Sequence, residues 1–505
     1  MKKIYSLLTA LVLTIAVGAQ TLNVTQGSVT YQFPASQTGE MTYADGQTLT
    51  IMGKTFTLSD ITSMTVDNSE VKANQVAVNY DGTSATVTVA GNVAQYVSAT
   101  VSGAHVTIAQ TNTAAIDDDE ITYVLSGSSA DGELSISGSY KCTLSLAGLT
   151  LTNPAGAAIN ITNGKRIQIS AKKNTVNTLT DGANGSQKAC LYSKGQIQLQ
   201  GNGTLNIVGN TKHAIKSGDY ISVKNLTLNI TSAVGDGINC NAYFLMKSGI
   251  VQISGVGDEG IQCELDGTTS TGQTTDHEDE DSGNIYIEGG TLTVNNTKGE
   301  GIESKGELYI AGGEVTVNAK DDAINAAQDL TISGGYVYAH STGNDGLDAN
   351  GNCYIKGGVV YAIGASSPEV AIDANSEEQK KLYVTGGTII AIGGLESGAQ
   401  LTQSCYQASS WNKNTWYAMT VGSETIAFKT PSSGGTTLVV SGASQPALTS
   451  GITVSDGTKI FDGAAYIDAT VTDGSSVSLS SYTGGNGGPG GPGGGGPGGR
   501  PGGWW

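Results

Sequence analysis

Residues 234–264 read "VGDGINCNAYFLMKSGIVQISGVGDEGIQCE" and contain nearly the same phrase twice. The segment DGINC at 236–240 returns 23 residues later as EGIQC at 259–263. A close copy at a fixed separation is the mark of a repeated structural unit, and here each copy begins with an acid. The repeat therefore predicts that equivalent residues, including the acids, stack on one another.

The repeat extends well beyond these two copies as a small residue, then Ile or Leu, then a polar residue. The apolar members are Ile215, Ile238, Ile261, Ile302, Ile324, Leu347 and Ile372. Their separations are 23, 23, 41, 22, 23 and 25 residues, and the 41 is one unit plus the insertion "ELDGTTSTGQTTDHEDEDSG" at 264–283. Weaker copies centred on Ile159 and Leu191 continue the series toward the N-terminus.

Each unit contains three short strand-like pieces, such as "GIESK", "ELYI" and "GEVTVNA" between residues 301 and 319. Gly-Gly or Asn/Gly corners separate the pieces. A period near 22 residues with three short strands and no helical stretch is typical of a parallel β-helix. A leucine-rich repeat of similar length would show an L-x-x-L-x-L-x-x-N pattern, which is absent. The expected fold is all-β, a right-handed parallel β-helix of about 22–23 residues per coil, since parallel crossovers are nearly always right-handed.

The regions around the repeat have different textures and predict separate segments. Alternating apolar and polar residues around Gly turns indicate strands on both sides of the repeat. The tail "GGNGGPGGPGGGGPGGRPGGWW" cannot bury a core. The expected segments are a signal peptide (1–19), a small β module (20–70), a β-rich lead-in (71–141), the β-helix (142–394), a C-terminal β cap (395–483) and a disordered tail (484–505).

The N-terminus has the pattern of a secretory signal. Two lysines precede the apolar stretch 4–17, and Val17-Gly18-Ala19 provides small residues for cleavage near Ala19. No other segment approaches the roughly 18 consecutive apolar residues of a spanning helix, and no cysteine follows the cleavage site to carry a lipid. We expect a soluble, secreted protein that is extracellular, at the cell surface or periplasmic.

The charge balance is strongly acidic, with a formal net charge of -19 that becomes -21 once Lys2 and Lys3 are removed. This excludes nucleic acid and anionic membranes as expected partners and favours cations and neutral or sugar-like ligands. The six cysteines are too sparse for a disulfide-dependent scaffold, and no CxxC motif indicates zinc or thioredoxin-like chemistry.

In a parallel β-helix, equivalent residues of successive coils stack at roughly 4.8 Å. With the Ile/Leu residues facing inward, two columns of polar residues are expected to face outward. The first column is His213, Asp236, Glu259, Glu300, Asp322 and Asp345. The second column is Lys216, Asn239, Gln262, Glu303, Asn325, Asp348 and Asp373.

Such columns need compensating charge, because stacked carboxylates about 5 Å apart repel by roughly 1 kcal/mol per pair even in high dielectric. Residues 232–350 hold 20 of the 44 acidic residues and only 4 of the 25 basic ones, so internal ion pairs are insufficient. Carboxylate and amide oxygens without imidazole or thiolate select Ca²⁺. The alternative is a solvated acidic face that tolerates the repulsion for solubility.

The candidate calcium ligands are the acids and amides of these columns, with two acids of the insertion. They are Asp236, Asn239, Glu259, Gln262, Glu300, Glu303, Asp321, Asp322, Asn325, Asp345, Asp348, Asp279 and Asp281. The insertion's acidic run, residues 276–281, either folds back to complete calcium sites with Glu278, Asp279, Glu280 or Asp281, or is a solvated loop.

Other chemistry is weakly indicated. Cys240 and Cys263 are expected to stack in adjacent coils, at a separation that permits either a disulfide or two free thiols. The four histidines lack metal-ligand spacing, and no GxSxG, HExxH or P-loop motif occurs. The sequence therefore names no catalytic residue from a motif.

The rungs at 236–239, 258–262, 300–304, 321–325 and 345–350, with their Gly-Gly corners, resemble a known family. This is the calcium-binding β-helical family of carbohydrate-binding domain-containing proteins, known from a clostridial member that binds cellulose and pectic polysaccharide. The resemblance spans roughly residues 115–480, and the N-terminal segment and the tail are similar to those of secreted Bacteroidetes members. It implies a polysaccharide partner and a Ca²⁺ cofactor.

That family is similar in fold to pectate lyases, and residues 321–325 with Glu300 resemble a lyase calcium pocket. The resemblance implies that a lyase would also need a basic residue beside the ion. Lys216, Lys298, Lys305 and Lys320 are candidates, but no motif selects one and no Arg occurs between 167 and 499.

The expected function is calcium-dependent, non-catalytic binding of plant-type or acidic glycans such as pectin, polygalacturonate or cellulose. The alternatives are a pectate-lyase-like enzyme and a structural or adhesive surface protein.

Overall fold

The computed structural model describes residues 20–39, 41–265 and 280–484. The chain divides into two compact units, residues 1–327 and 328–505. The expected signal peptide, the candidate ligands Glu278 and Asp279, and all of the expected tail after Gly484 lie outside the described residues. Among the described residues, no helix is both long and apolar enough to cross a membrane.

Short strands make up most of the first unit. They are β1 (Thr21–Gln26), β2 (Val29–Pro34), β3 (Thr42–Ala44), β4 (Thr48–Ile51), β5 (Lys54–Thr57), β6 (Ser63–Asp67), β7 (Gln75–Asp81), β8 (Ser84–Ala90), β9 (Val97–Ser102), β10 (Ala104–Gln110), β11 (Ile121–Ser129), β12 (Gly132–Gly138), β13 (Cys142–Asn153), β14 (Ile159–Ile161), β15 (Ile167–Ala171), β16 (Val176–Asp181), β17 (Ala189–Ser193), β18 (Ile197–Gly201), β19 (Thr204–Gly209), β20 (His213–Ser217), β21 (Ile221–Lys224), β22 (Thr227–Ala233), β23 (Ile238–Cys240), β24 (Tyr243–Met246), β25 (Ile250–Ser254), β26 (Ile261–Cys263), β27 (Asn284–Ile287), β28 (Thr291–Thr297), β29 (Ile302–Ser304), β30 (Leu308–Ile310), β31 (Glu314–Ala319) and β32 (Ile324–Ala326).

The second unit is also built from strands. They are β33 (Leu330–Ile332), β34 (Tyr336–Ser341), β35 (Leu347–Ala349), β36 (Cys353–Ile355), β37 (Val359–Ile363), β38 (Leu382–Val384), β39 (Thr388–Ile392), β40 (Gln400–Leu401), β41 (Cys405–Ala408), β42 (Trp416–Val421), β43 (Glu424–Lys429), β44 (Leu438–Ser441), β45 (Ala447–Ile460), β46 (Ala465–Val477) and β47 (Leu479–Tyr482). Single 3₁₀ turns occur at Ala35–Gln37, Leu58–Asp60, Ala94–Tyr96, Ser376–Glu378 and Phe461–Gly463.

The expected parallel β-helix is confirmed in the first unit. One coil consists of β23, β24 and β25, and each of these strands pairs in parallel with the equivalent strand of the next coil, β26, β27 and β28. The register matches the sequence repeat, because Ile238 lies opposite Ile261 and Ile261 lies opposite Ile302. The weak copies also hold, since Ile159 pairs with Leu191 and Leu191 with Ile215. The right-handed winding stays a prediction.

The coil interior is dry and apolar. Each Ile or Leu of the repeat is completely buried, from Ile215 in the first unit to Ile372 in the second. Stacking of identical apolar residues at the inter-strand spacing provides most of the favourable burial energy, at about 25 cal/mol per Å² of apolar surface. Corner glycines let the chain turn between strands. Gly313, for example, has φ +82°, which favours residues without a Cβ.

Parallel pairing begins before residue 142. Strand β7 pairs in parallel with β11, and β11 pairs with β13. The first strands are antiparallel, with β1 between β2 and β6, and β3, β4 and β5 form a small antiparallel sheet. The domain boundaries drawn from the sequence stay predictions.

In the second unit, coil strands stack in parallel, with β34 on β37 and β37 on β39. The free edge of β39 pairs antiparallel with β44, so it is not open to another chain. Beyond it, β42, β43, β46 and β45 close into a small barrel.

Candidate functional site

The acids of the first column lie in the turns that precede the coil strands. β23 begins at Ile238, so Asp236 stands two residues outside it, and Glu259 has the same place before β26. Strict alternation predicts exposed side chains here, whereas Asp236 is only 2% exposed and Glu259 only 7%. The difference arises because these strands are three residues long, so the turn folds the acids against neighbouring coils. The acids are therefore not a solvated face.

Asp236, Asp258 and Glu259 form the first acid cluster. A carboxylate oxygen from each lies within 4.8 Å of the others. Two unit charges at that separation repel by roughly 1 kcal/mol in water and by about 3.5 kcal/mol at an effective dielectric near 20. The cluster can therefore exist only with a proton or a cation among its oxygens.

Glu259 is the member that holds a proton when no cation is present. Burial and the charges of Asp236 and Asp258 raise the pKa of Glu259 to about 10. Its carboxyl group hydrogen-bonds both Asp236 and Glu300, and burial likewise raises the pKa of Glu300. At neutral pH the metal-free cluster thus contains a neutral carboxyl that a cation could displace from its proton.

His213 lies at the N-terminal end of the same column. Its Nδ1 is 3.2 Å from the Asp236 backbone nitrogen and 3.2 Å from Asp236 Oδ2. A neutral imidazole accepts the N–H at that position, and a protonated one would donate to the carboxylate. Despite the cost of burial, the hydrogen bond and charge of His213, with the Asn239 amide, hold the pKa of Asp236 below its usual value.

The second column is satisfied by its own side chains. Asn239 Nδ2 donates to Gln262 Oε1 at 2.8 Å and to Asp236 Oδ2 at 2.5 Å, and Gln262 Nε2 donates to Glu303 Oε2 at 2.6 Å. Lysines close both ends, because Lys216 donates to Asn239 and Asn241 while Lys305 pairs with Glu303. This amide ladder compensates the second column without a metal ion. Gln262 and Glu303 are therefore engaged otherwise than as the expected ligands.

The second unit carries its own acid cluster, formed by Asp345, Asp348 and Asp373. Their carboxylate oxygens again lie within 4.8 Å of one another, and Asp345 also accepts the Val370 backbone N–H at 2.5 Å. Burial, the hydrogen bond to Glu396 and the charges around it raise the pKa of Asp373 to about 10. Burial first, and the neighbouring acids after it, raise the pKa of Asp345 to about 7.

The remaining predicted ligands have other surroundings. Asp322 is buried, with Asn325 Nδ2 3.5 Å from its Oδ2, and Asp321 beside it is exposed. Neither belongs to the two three-acid clusters found among the described residues. In the insertion, Glu280 is buried and accepts the Tyr286 hydroxyl at 2.6 Å, and Asp281 is half-buried.

Three acids of these sites were not among the predicted ligands: Asp258, Asp373 and Glu396. Asp258 stands before Glu259 as Asp321 stands before Asp322, so the doublet was a usable signal. Asp373 lies in the second column of the repeat. Glu396 could not be found from the period, which is lost after residue 392.

A hard divalent cation fits both clusters. Each offers three carboxylates, no thiolate belongs to either, and repulsion among the acids is relieved by positive charge. The six cysteines are free and buried, which settles Cys240 and Cys263 as thiols rather than a disulfide. The donor chemistry suits calcium, as the sequence predicts.

A shallow groove of about 240 Å³ crosses successive coils on another face of the first unit. Its rim includes the exposed Lys224 and Lys247, and half-buried Gln198, Gln200 and Ser222 lie along it. Ammonium, amide and hydroxyl groups arranged across coils can hydrogen-bond the carboxylates and hydroxyls of a sugar chain.

Comparison with known proteins identifies one matching family. The family model described as carbohydrate-binding domain-containing protein matches residues 102–298 and 282–431. A carbohydrate-binding domain-containing protein of Acetivibrio thermocellus is 27% identical over 111 residues, which are 20% of this chain and 39% of that protein. The aligned part of the chain thus spans well under half of that relative's length.

Among solved structures, the fold is similar to that of a polysaccharide lyase-like protein from C. thermocellum, determined as a gadolinium derivative. The sequences are 19% identical, the TM-score is 0.36, and the alignment covers 61% of this chain and 96% of the other.

Proposed function

The chain belongs to the carbohydrate-binding domain-containing protein family, and from this premise we propose that it binds acidic polysaccharide in a calcium-dependent manner. The ligand class is a uronate-rich glycan such as pectin or polygalacturonate, and it is bound without turnover. The observation that carries the proposal is the pair of buried three-acid clusters in a family of carbohydrate-binding proteins.

The clusters are buried but not sealed. Asp258 is half-buried in the first cluster, and Asp348 and Asp373 are half-buried in the second. Ca²⁺ takes about six to eight oxygen ligands, so three carboxylates leave positions for other oxygens. A calcium ion bound there would supply positive charge to a uronate carboxylate. Asp258, Asp348 and Asp373 mark the side from which the sugar would approach.

Lys224 and Lys247 support an acidic ligand over a neutral one in the first unit. Both side chains are exposed on the rim of the groove, where a net negative protein would otherwise repel uronates. The groove crosses the coils in the direction along which a polysaccharide repeats.

The lysines near the first cluster support binding rather than lyase chemistry. The ion pair with Glu303 raises the pKa of Lys305, so its ammonium keeps its proton. Burial lowers the pKa of Lys216, but its ammonium is engaged by Asn239 and Asn241. Lys298 and Lys320 are exposed. A general base must be free to take a proton at the sugar, and neither Lys305 nor Lys216 is placed for that.

Export is part of the same proposal. The basic and apolar N-terminal pattern with small residues at 17–19 favours secretion, which would bring the protein to extracellular polysaccharide and millimolar calcium.

The test is equilibrium binding of polygalacturonate by the purified protein in calcium and in calcium-free buffer. Binding is expected in calcium and should weaken at least about tenfold without it. Glu259→Gln and Asp373→Asn remove one charge from each cluster at constant shape and should weaken binding in calcium. Glu424→Gln changes an exposed glutamate on β43 and serves as the matched control.

Two outcomes would overturn the proposal. Equal binding with and without calcium would remove the role of the ion, and accumulation of unsaturated product absorbance at enzymatic rates would show a lyase. Calcium-dependent stability with no glycan binding would favour the structural or adhesive alternative.

A further inference from the structure

The barrel of the second unit contains an open cleft of about 550 Å³. Its walls come from β42, β45 and β46, and its lining residues are Trp416, Ile452–Gly457 and Tyr466. Pockets that bind small organic ligands usually have volumes of about 300–1,000 Å³ and combine apolar walls with a few polar groups. This cleft has both properties.

Two aromatic rings form the floor of the cleft. Trp416 and Tyr466 have ring centroids 5.6 Å apart and an interplanar angle of 55°. Both side chains are half-buried, while the small apolar cluster of Ala418, Ala427 and Ile452 supports them from beneath. Rings held in this way present apolar faces to a ligand without loss of side-chain freedom.

The aromatic face is distinct from the main core of the unit. Side chains alternate along β42, so Tyr417 and Met419 enter the main core while Trp416 and Ala418 point to the other side. Tyr466 joins the same side through its pairing with Ala427. A large aromatic residue is therefore kept where the main core does not use it.

The polar wall is shaped by irregular strand pairing. The ladder between β45 and β46 shifts on both sides of Asp456, and Gly457 has φ +129°. A Cβ at Gly457 would lie 2.9 Å from the Ile467 carbonyl oxygen and 3.3 Å from Tyr466 Cβ. The bulges hold Asp456 and Ser455 exposed at the edge of the cleft, beside Tyr466. Bulges of this kind commonly re-aim side chains near binding sites.

The charge of the lining selects the kind of sugar. Asp456 is the one charged residue that lines the cleft, and no lysine or arginine lines it. A uronate would be repelled there, whereas a neutral pyranose can place its C–H face on the rings and donate hydroxyls to Asp456.

We infer that the Trp416–Tyr466 cleft is a second glycan site that binds neutral pyranose units and needs no calcium. The inference rests on the proposed polysaccharide binding and deepens it, because the two sites would take chemically different parts of a plant-type matrix. Ile452–Gly457 and Tyr466 also lie beyond the last residue matched by the family model.

The test measures binding of cellohexaose, xylohexaose and mannohexaose to the full chain, with polygalacturonate measured in parallel. At least one neutral hexaose should bind equally with and without calcium. Trp416→Ala and Tyr466→Ala should weaken that binding about tenfold or more and leave polygalacturonate binding unchanged. Trp416→Phe keeps a ring and should retain most of the affinity. Tyr43→Ala, at an exposed tyrosine in the first unit, is the control.

The outcomes separate this inference from the proposed function. Binding of polygalacturonate but of none of the neutral hexaoses would overturn the inference alone. Unchanged hexaose binding in Trp416→Ala and Tyr466→Ala would also overturn it. If Trp416→Ala lowers the melting temperature, equal hexaose affinities of the folded Trp416→Phe and Tyr466→Ala variants would decide against it.

Discussion

Removal of calcium at pH 8 is expected to lower the melting temperature by about 5–10 °C for each acid cluster that binds an ion. An ion at about 100 times its dissociation constant stabilises the folded state by about 2.7 kcal/mol. Asp236, Asp258 and Glu259 lose their compensating charge in one unit, and Asp345, Asp348 and Asp373 lose it in the other. Thermal unfolding in calcium and after passage over a chelating resin measures the difference.

The loss should depend on pH with a definite sign. In the metal-free protein, the pKa values of Glu259 and Asp373 are raised to about 10, far above those of unfolded acids. Their protonated forms stabilise the fold fully below about pH 4, and this stability disappears as the pH rises toward 10. The melting temperature without calcium should therefore fall from pH 5.5 to 9. In calcium it should fall less, so the gap widens with pH.

Glu259→Gln provides the sharpest variant for this prediction. The amide resembles the protonated acid, so without calcium at pH 8 the variant should melt at or above the wild-type temperature. In calcium it should gain less than the wild type does, whereas Glu424→Gln should behave as the wild type. Identical melting curves with and without calcium at every pH would mean that the clusters bind no ion.

Gly301→Ala is expected to destabilise the first unit by about 3 kcal/mol. Gly301 stands between Glu300 and Ile302, at the point where successive coils approach most closely. A Cβ there would lie 2.0 Å from Val317 Cγ1 and 2.5 Å from the Ala323 carbonyl oxygen. The second contact is with the backbone of the next coil, which cannot move without breaking the pairing of β29 with β32.

Gly164→Ala is the matched control, because no atom lies within 4 Å of a Cβ at that position. It should melt within about 1–2 °C of the wild type, whereas Gly301→Ala should melt about 6–12 °C lower. Calcium-free measurements on both variants separate packing from any change in ion binding. Equal stability of the two variants would show that the coils are less tightly stacked than described.

The coil register could be predicted because parallel stacking places residues one period apart opposite each other. A separation of 23 residues between Ile238 and Ile261 sufficed to pair them, with Asn239 opposite Gln262 and Cys240 opposite Cys263. The insertion did not disturb this, since Ile261 pairs with Ile302 across 41 residues. Local sequence thus determines the fold once one strand of each coil is located.

The composition of the site was harder to predict, because it depends on turns and on contacts between columns. Asp236 and Glu259 are buried since they precede three-residue strands, which alternation alone does not show. Gln262 was expected to bind metal, yet its amide is used by Asn239 and Glu303. A stacked polar residue can be neutralised by its neighbours as well as by an ion, and only three-dimensional contacts distinguish the two.

Diffraction from crystals grown in calcium tests the central claim most directly. The account predicts anomalous peaks about 2.3–2.6 Å from carboxylate oxygens of Asp236, Asp258 and Glu259, and of Asp345, Asp348 and Asp373. Both peaks should disappear from crystals washed in chelator. Ordered carboxylates with only water between them in calcium would contradict the account.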